Sequence, residues 1–133
     1  MAITLVINNK DGKSFGKKLE EDVSKVFYNK SIGEEIEGKS FGFEDYTFLI
    51  AGGSDKSGFA MIKEIKITGR RKILTKGNVG VKPKISKTKK GKMKFKGMRI
   101  RKTIAGGIIS ENTSQLNLKI IKIGKSSIEE LTK

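Results

Sequence analysis

Apolar and polar positions alternate in several short stretches of this chain, and a period of two predicts strands. Ile3, Leu5 and Ile7 interleave with Thr4, Val6 and Asn8, and Asn9-Lys10-Asp11-Gly12 follows with an Asp-Gly turn signal. Tyr46-Thr47-Phe48-Leu49-Ile50 is rich in aromatic and β-branched side chains and reads as a buried strand. Further strands are predicted at Arg71-Lys72-Ile73-Leu74, at Thr103-Ile104-Ala105 and from Leu116 to Ile121, with a turn and a short strand between Ile32 and Gly38. The period changes between Leu19 and Phe27. There Leu19, Val23, Val26 and Phe27 recur at helical spacing, and Glu20, Glu21 and Asp22 suit a helix N-terminus. Ser126 or Ser127, ahead of Glu129 and Glu130, suits the N-cap of a second short helix ending near Thr132. Short strands broken by 16 glycines and a single proline predict a mainly β fold, a small antiparallel β-barrel with one or two short helices.

One interval fits neither period. Lys82 to Gly97 is dense in lysine, carries Pro83, and predicts a long, mobile basic loop. A loop of that length in a compact domain calls for a function of its own. At 133 residues, with no internal repeat and no evident linker, the chain is expected to form one domain over residues 1–133.

Charge then changes the picture. Lys and Arg number 29 against 14 Asp and Glu, a formal net charge of +15. From Met1 to Met61 there are 8 basic and 10 acidic residues, whereas from Ile62 to Lys125 there are 20 basic and 2 acidic. No acid occurs between Glu64 and Glu111, and that gap holds Arg70, Arg71, Lys72, Lys76, Lys82, Lys84, Lys87, Lys89, Lys90, Lys92, Lys94, Lys96, Arg99, Arg101 and Lys102. A solvated face usually mixes its signs, because like charges repel and neighbouring acids relieve them. A cationic block without acids is the footprint of a polyanion, and nucleic acid is the commonest one. Binding an anionic membrane needs an apolar face behind the charges, and Lys82 to Lys96 offers only Ile85, Met93 and Phe95 as large apolar residues.

Catalysis has little to work with. Cysteine and histidine are both absent, which removes thiolate and imidazole metal sites, His-based proton transfer and the Ser-His and Cys-His nucleophiles. No metal, cofactor or small-molecule substrate is expected. The N-terminal apolar run is about six residues and lacks a basic region before it, so it reads as a strand rather than a leader. A cytoplasmic location and a monomeric free state are expected.

The sharpest local feature is Ile50-Ala51-Gly52-Gly53-Ser54-Asp55-Lys56-Ser57-Gly58-Phe59-Ala60-Met61. Its glycines allow positive φ or close backbone approach, Asp55 suits an Asx-type turn, and the Gly-Lys-Ser/Thr ending of a phosphate-binding loop is missing. On these grounds the segment is expected to be a tight inter-strand turn. It also resembles the signature of the archaeal and eukaryotic small-subunit ribosomal protein S6e family, through Ile50, Ala51, Gly52, Gly53, Asp55, Gly58 and Met61; Ala60 stands where that pattern has proline. Two further blocks are similar to the family in the same order. One is Arg70-Arg71 with Val79 to Pro83; the other runs from Arg99 to Leu118, with Ala105 and Gly107 in place of an Arg and an Asn.

The resemblance implies a β-barrel-like structural constituent of the small ribosomal subunit, bound to small-subunit rRNA and neighbouring ribosomal proteins. Candidate RNA-binding residues are Arg70, Arg71, Lys72, Lys82, Lys84, Lys87, Lys89, Lys90, Lys92, Lys94, Phe95, Lys96, Arg99, Arg101 and Lys102. Arg70, Arg71, Arg99 and Arg101 are the best bidentate phosphate forks, and the lysines act as point charges. Phe95 and Met93 serve either to stack on bases or to dock the loop. Two rival readings remain at this stage: a free-standing nucleic-acid binder, and a metal-dependent nuclease using Asp45 or Asp55.

Overall fold

In a computed structural model the chain is described at residues 2–75 and 99–124, together with Ile128. The expected Lys82–Gly97 loop, the Val79–Pro83 block and, apart from Ile128, the helix ending near Thr132 lie outside these residues. The strands are β1 (Thr4–Asn8), β2 (Ser14–Lys18), β3 (Glu35–Glu37), β4 (Thr47–Asp55), β5 (Arg70–Thr75), β6 (Ile100–Ala105) and β7 (Thr113–Lys122). One helical turn, α1 (Glu21–Ser24), runs into a 3₁₀ turn at Lys25–Phe27, and a second 3₁₀ turn occupies Gly38–Phe41. The fold is mainly β, as the alternation predicts.

Five strands form one sheet in the order β2-β1-β7-β4-β3, and β5 and β6 form a two-stranded ribbon. Every pair is antiparallel except β1 with β7, which is parallel, with Leu5 opposite Leu116 and Ile7 opposite Leu118. The all-antiparallel expectation fails at that pair for a simple reason. Alternation fixes which face of a strand is buried, but an apolar row looks the same in either chain direction. Among the described residues β2 and β3 are the edges of the five-stranded sheet.

The inner face of the sheet is a set of apolar rows: Ile3, Leu5 and Ile7 on β1, Leu116, Leu118 and Ile120 on β7, Phe48 and Ile50 on β4, and Ile36 on β3. Phe27, Phe41, Phe43 and Ile109 pack over them. Phe41 sits centrally in the aromatic cluster, with ring centroids 5.2 Å from Phe27, 5.5 Å from Phe43 and 5.4 Å from Phe48. These tilted geometries avoid the face-to-face sandwich that the ring quadrupoles disfavour. Ile128 is buried against the same core.

Local structure adds one strand and shortens one helix. Strand β2 is not evident in the sequence because Ser14-Phe15-Gly16-Lys17-Lys18 is an edge strand, with only Phe15 and Lys17 even half-covered. The Leu19–Phe27 helix shrinks to α1 and its 3₁₀ extension. Ser24 explains part of this: its hydroxyl donates to the Glu20 carbonyl at 2.8 Å and accepts from the Ile3 N–H at 3.2 Å. Such back-bonding competes with regular helix and here ties the turn to the start of β1.

Candidate nucleic-acid interface

The glycine-rich segment is not one tight turn. Ala51 to Asp55 belong to β4, where Gly52 pairs with Asn117 and Gly53 with Leu116 across a bulge after Ile50. Neither glycine has positive φ. Gly53 is needed for close approach: a Cβ there would stand 2.6 Å from the Gln115 carbonyl oxygen and 3.0 Å from the Met61 sulfur. The turn itself is confined to Lys56-Ser57-Gly58, with φ +80° at Gly58 and a bridge pairing Ser54 with Ala60. Asp55 does make the expected Asx-type contact, accepting the Ser57 N–H at 3.1 Å through Oδ1.

From this turn the chain runs under the ribbon. The Ile62 N–H donates to the Ala105 carbonyl at 3.2 Å, Ala105 N–H to Ala60 at 3.0 Å, Gly106 N–H to Gly69 at 2.8 Å and Gly107 N–H to Ile65 at 2.7 Å. Ile62 and Ile65 pack with Ile104 and Ile73 in a small second core. That packing settles which face of the ribbon is free. Directly opposite residues share a face, so Ile104 and Ile73 turn their face inward, with Arg71 and Lys102 at its margin. The other face carries Arg70, Lys72 and Leu74 from β5 and, opposite them, Ala105, Thr103 and Arg101 from β6; Ala105 is buried against the main core, so the open part of this face is Lys72, Leu74, Thr103 and Arg101. Leu74 is 57% exposed, in the company of cations.

Of the candidates in the described residues, the fold gathers Arg70, Arg71, Lys72, Arg101 and Lys102 on one ribbon, with Arg99 just before β6. Lys82, Lys84, Lys87, Lys89, Lys90, Lys92, Lys94, Phe95 and Lys96 lie outside the described residues. Arg70 is placed differently from expectation. Its Nε donates to Asp55 Oδ2, and Nη2 donates to Asp55 Oδ1 at 3.1 Å and to Ser57 Oγ at 2.8 Å. Its guanidinium also lies 5.2 Å from the centre of the Phe59 ring. The fork expected to grip phosphate is engaged by a buried carboxylate, because Asp55 ends β4 beside the first residue of β5. Thr103 and Leu74 were missed as members of the free face. Only the cross-strand register reveals them.

Asp55 is buried and ionised. The Arg70 hydrogen bonds hold its carboxyl below the usual carboxylate range; burial works the other way, and the Ser57 N–H adds to the lowering. A carboxyl with a depressed folded pKa stabilises the fold above its unfolded pKa and loses that contribution as pH falls through the folded value. Chemical denaturation followed from about pH 5 down to about pH 3 should therefore show falling stability. An Asp55→Asn variant should be less stable at neutral pH and flatter over the same window. Equal slopes for the two proteins would show that Asp55 does not carry the effect.

Among the described residues no group of three or more acidic side chains is placed to hold a metal ion, and no helix is long and apolar enough to cross a membrane. The carboxylate of Asp55, one of two suggested for nuclease chemistry, faces Arg70 instead.

The sequence model of the family described as ribosomal protein S6e matches residues 3–133. The small ribosomal subunit protein eS6 of Methanosphaera stadtmanae is 35% identical over 98% of this chain and 92% of its own length. That of Archaeoglobus fulgidus is 34% identical over 100% of this chain and 97% of its own. The protein of the same name from Candida glabrata is 39% identical, but the match covers 81% of this chain and 43% of the yeast protein. The Gly-Gly-x-Asp strand end, the basic ribbon and this near end-to-end similarity agree, and the chain belongs to the ribosomal protein S6e family.

Proposed function

We propose that this chain is a non-enzymatic structural constituent of the small ribosomal subunit, in the cytoplasm. It holds rRNA through the free face of the β5–β6 ribbon and through the lysines between Lys82 and Lys96. The observation that carries this reading is the ribbon: one face is covered by the Ile62–Ile65 segment, and the other presents Arg101 and Lys72 beside Thr103 and Leu74. Cations there neutralise phosphates and release counterions. Thr103 offers a hydroxyl for sugar or phosphate, and Leu74 an apolar contact with a sugar or base face.

The remaining body acts as the platform. The Ser54–Ala60 and Met61–Ala105 bridges carry strand-like contacts from β4 toward β6, which supports reading sheet and ribbon as the wall of one small barrel in a single domain. Its partners are small-subunit rRNA and neighbouring small-subunit proteins, and free in solution it is a monomer.

Sedimentation of a native lysate through a sucrose gradient tests the assignment. The chain is expected to migrate with the small subunit and to stay there at moderate salt. Recovery at the top of the gradient would defeat the ribosomal role and favour a free-standing nucleic-acid binder.

A further inference from the structure

We propose that Asp55 and Arg70 form a positioning clamp, which aims the free face of the β5–β6 ribbon at RNA without either side chain binding RNA itself. The inference rests on the ribbon being the RNA-binding element. Two strands alone are marginal as an independent unit, so what fixes the base of this ribbon decides where its cations point. The base of β6 is tied by backbone: Ala105 bonds to Ala60 and Ile62, and Gly106 and Gly107 bond to Gly69 and Ile65. At the first residue of β5 the tie is a side chain.

Three of that side chain's five N–H donors are engaged. Arg70 gives Nε and Nη2 to the two oxygens of Asp55, a further Nη2 hydrogen bond to Ser57 Oγ, and its planar face to Phe59. Lysine can match the charge but neither the fork nor the stacking. Asp55 is 5% exposed and is itself fixed by the turn, its N–H donating to the Phe59 carbonyl at 3.0 Å and its carbonyl accepting from Gly58 N–H at 2.8 Å. The clamp therefore connects the end of β4, in the main sheet, to the start of the ribbon. Lys72 and Leu74 follow Arg70 on the same face, and Thr103 and Arg101 lie opposite them. An error in orientation at Arg70 is carried to each.

A charge-only account predicts the opposite sign. There, Asp55 merely subtracts one positive charge from the surface, and removing it should strengthen RNA binding. The test measures binding of the full chain to a small-subunit rRNA transcript across a salt series, at a temperature where every variant is folded. Asp55→Asn is expected to weaken binding about tenfold, equivalent to losing one or two phosphate contacts, although it raises the net charge by one. Arg70→Lys, which leaves the charge unchanged, should weaken binding comparably and make the log–log salt slope shallower by about one or more. Binding by Asp55→Asn that is equal or tighter, with a steeper slope, would overturn the clamp. If Asp55→Asn fails to fold, Arg70→Lys decides alone, and unchanged affinity with an unchanged slope overturns it. Lys72→Ala combined with Arg101→Ala serves as the control for the ribbon: unchanged binding there defeats the ribbon reading itself, whatever the clamp variants do.

Discussion

Replacing Arg71, Lys72, Arg101 and Lys102 together by alanine is expected to weaken binding to small-subunit rRNA by on the order of a hundredfold or more at physiological salt. Each phosphate contact contributes a log–log salt slope of roughly 0.7 to 0.9, so four contacts should flatten the measured slope by about three. The expectation depends on Lys72 and Arg101 standing on the free face and on Arg71 and Lys102 reaching solvent at the margin of the covered one. Arg71, Lys72 and Arg101 are exposed and Lys102 is half-covered, so the fold loses little with them. The variant's melting temperature should stay within a few degrees of the parent's, at about 0.5 kcal/mol or less per surface substitution. An unchanged slope with unchanged affinity would move the RNA contact off the ribbon, to the Lys82–Lys96 segment.

The largest stability loss is expected from Gly106→Ala. A Cβ at this position would lie 1.9 Å from the Ile67 carbonyl oxygen and 2.7 Å from both its carbonyl carbon and Cγ1. Backbone oxygen cannot rotate away as a side-chain tip can. The Ile65–Gly69 segment has to move, and the hydrogen bonds from Gly106 to Gly69, Gly107 to Ile65 and Ile108 to Ile67 are strained or broken with it. Overpacking and the lost bonds together should cost about 3 kcal/mol or more. For a domain near this size that lowers the melting temperature by roughly ten degrees. Gly16→Ala, where a Cβ meets nothing within 4 Å, is the matched control and should be close to neutral. A Gly106→Ala variant that melts with the parent would show that the crossing under the ribbon is looser than the geometry describes.

What was legible in the sequence follows from range. Ile3-Leu5-Ile7 and Phe48-Ile50 announce buried strand faces because each pattern is local, and the clustering of charge after Ile62 needs no structure to be seen. Long-range relations were not legible. Nothing in Thr4–Asn8 says that it pairs with Thr113–Lys122, or in which direction. Arg70 looks like any exposed arginine until Asp55, fifteen positions earlier, is brought against it by the turn at Lys56–Gly58. Gly52 and Gly53 were misread for a related reason. Paired glycines suggest a turn, but both lie in β4, and at Gly53 the Gln115 carbonyl and Met61 crowd the backbone, where glycine leaves room for them. The exposed face of the ribbon likewise exists only once β5 and β6 are in register.

The place of β7 has a consequence for the order in which the molecule is made. Strands β1 and β2 form one hairpin and β3 and β4 another ladder, and in the described sheet these halves share no hydrogen bonds with each other; β7 joins them. Synthesis runs from the N-terminus, so the strand that completes the centre of the sheet emerges after all its neighbours. The apolar rows of β1 and β4 must wait for it, and the β1–β7 contact spans more than a hundred residues of chain. Such non-local closure is slow by nature, since the entropy of the long loop is lost before the pairing rewards it. The cationic ribbon strands leave the translating ribosome before the sheet can close. A newborn chain is therefore a polycation before its sheet is complete.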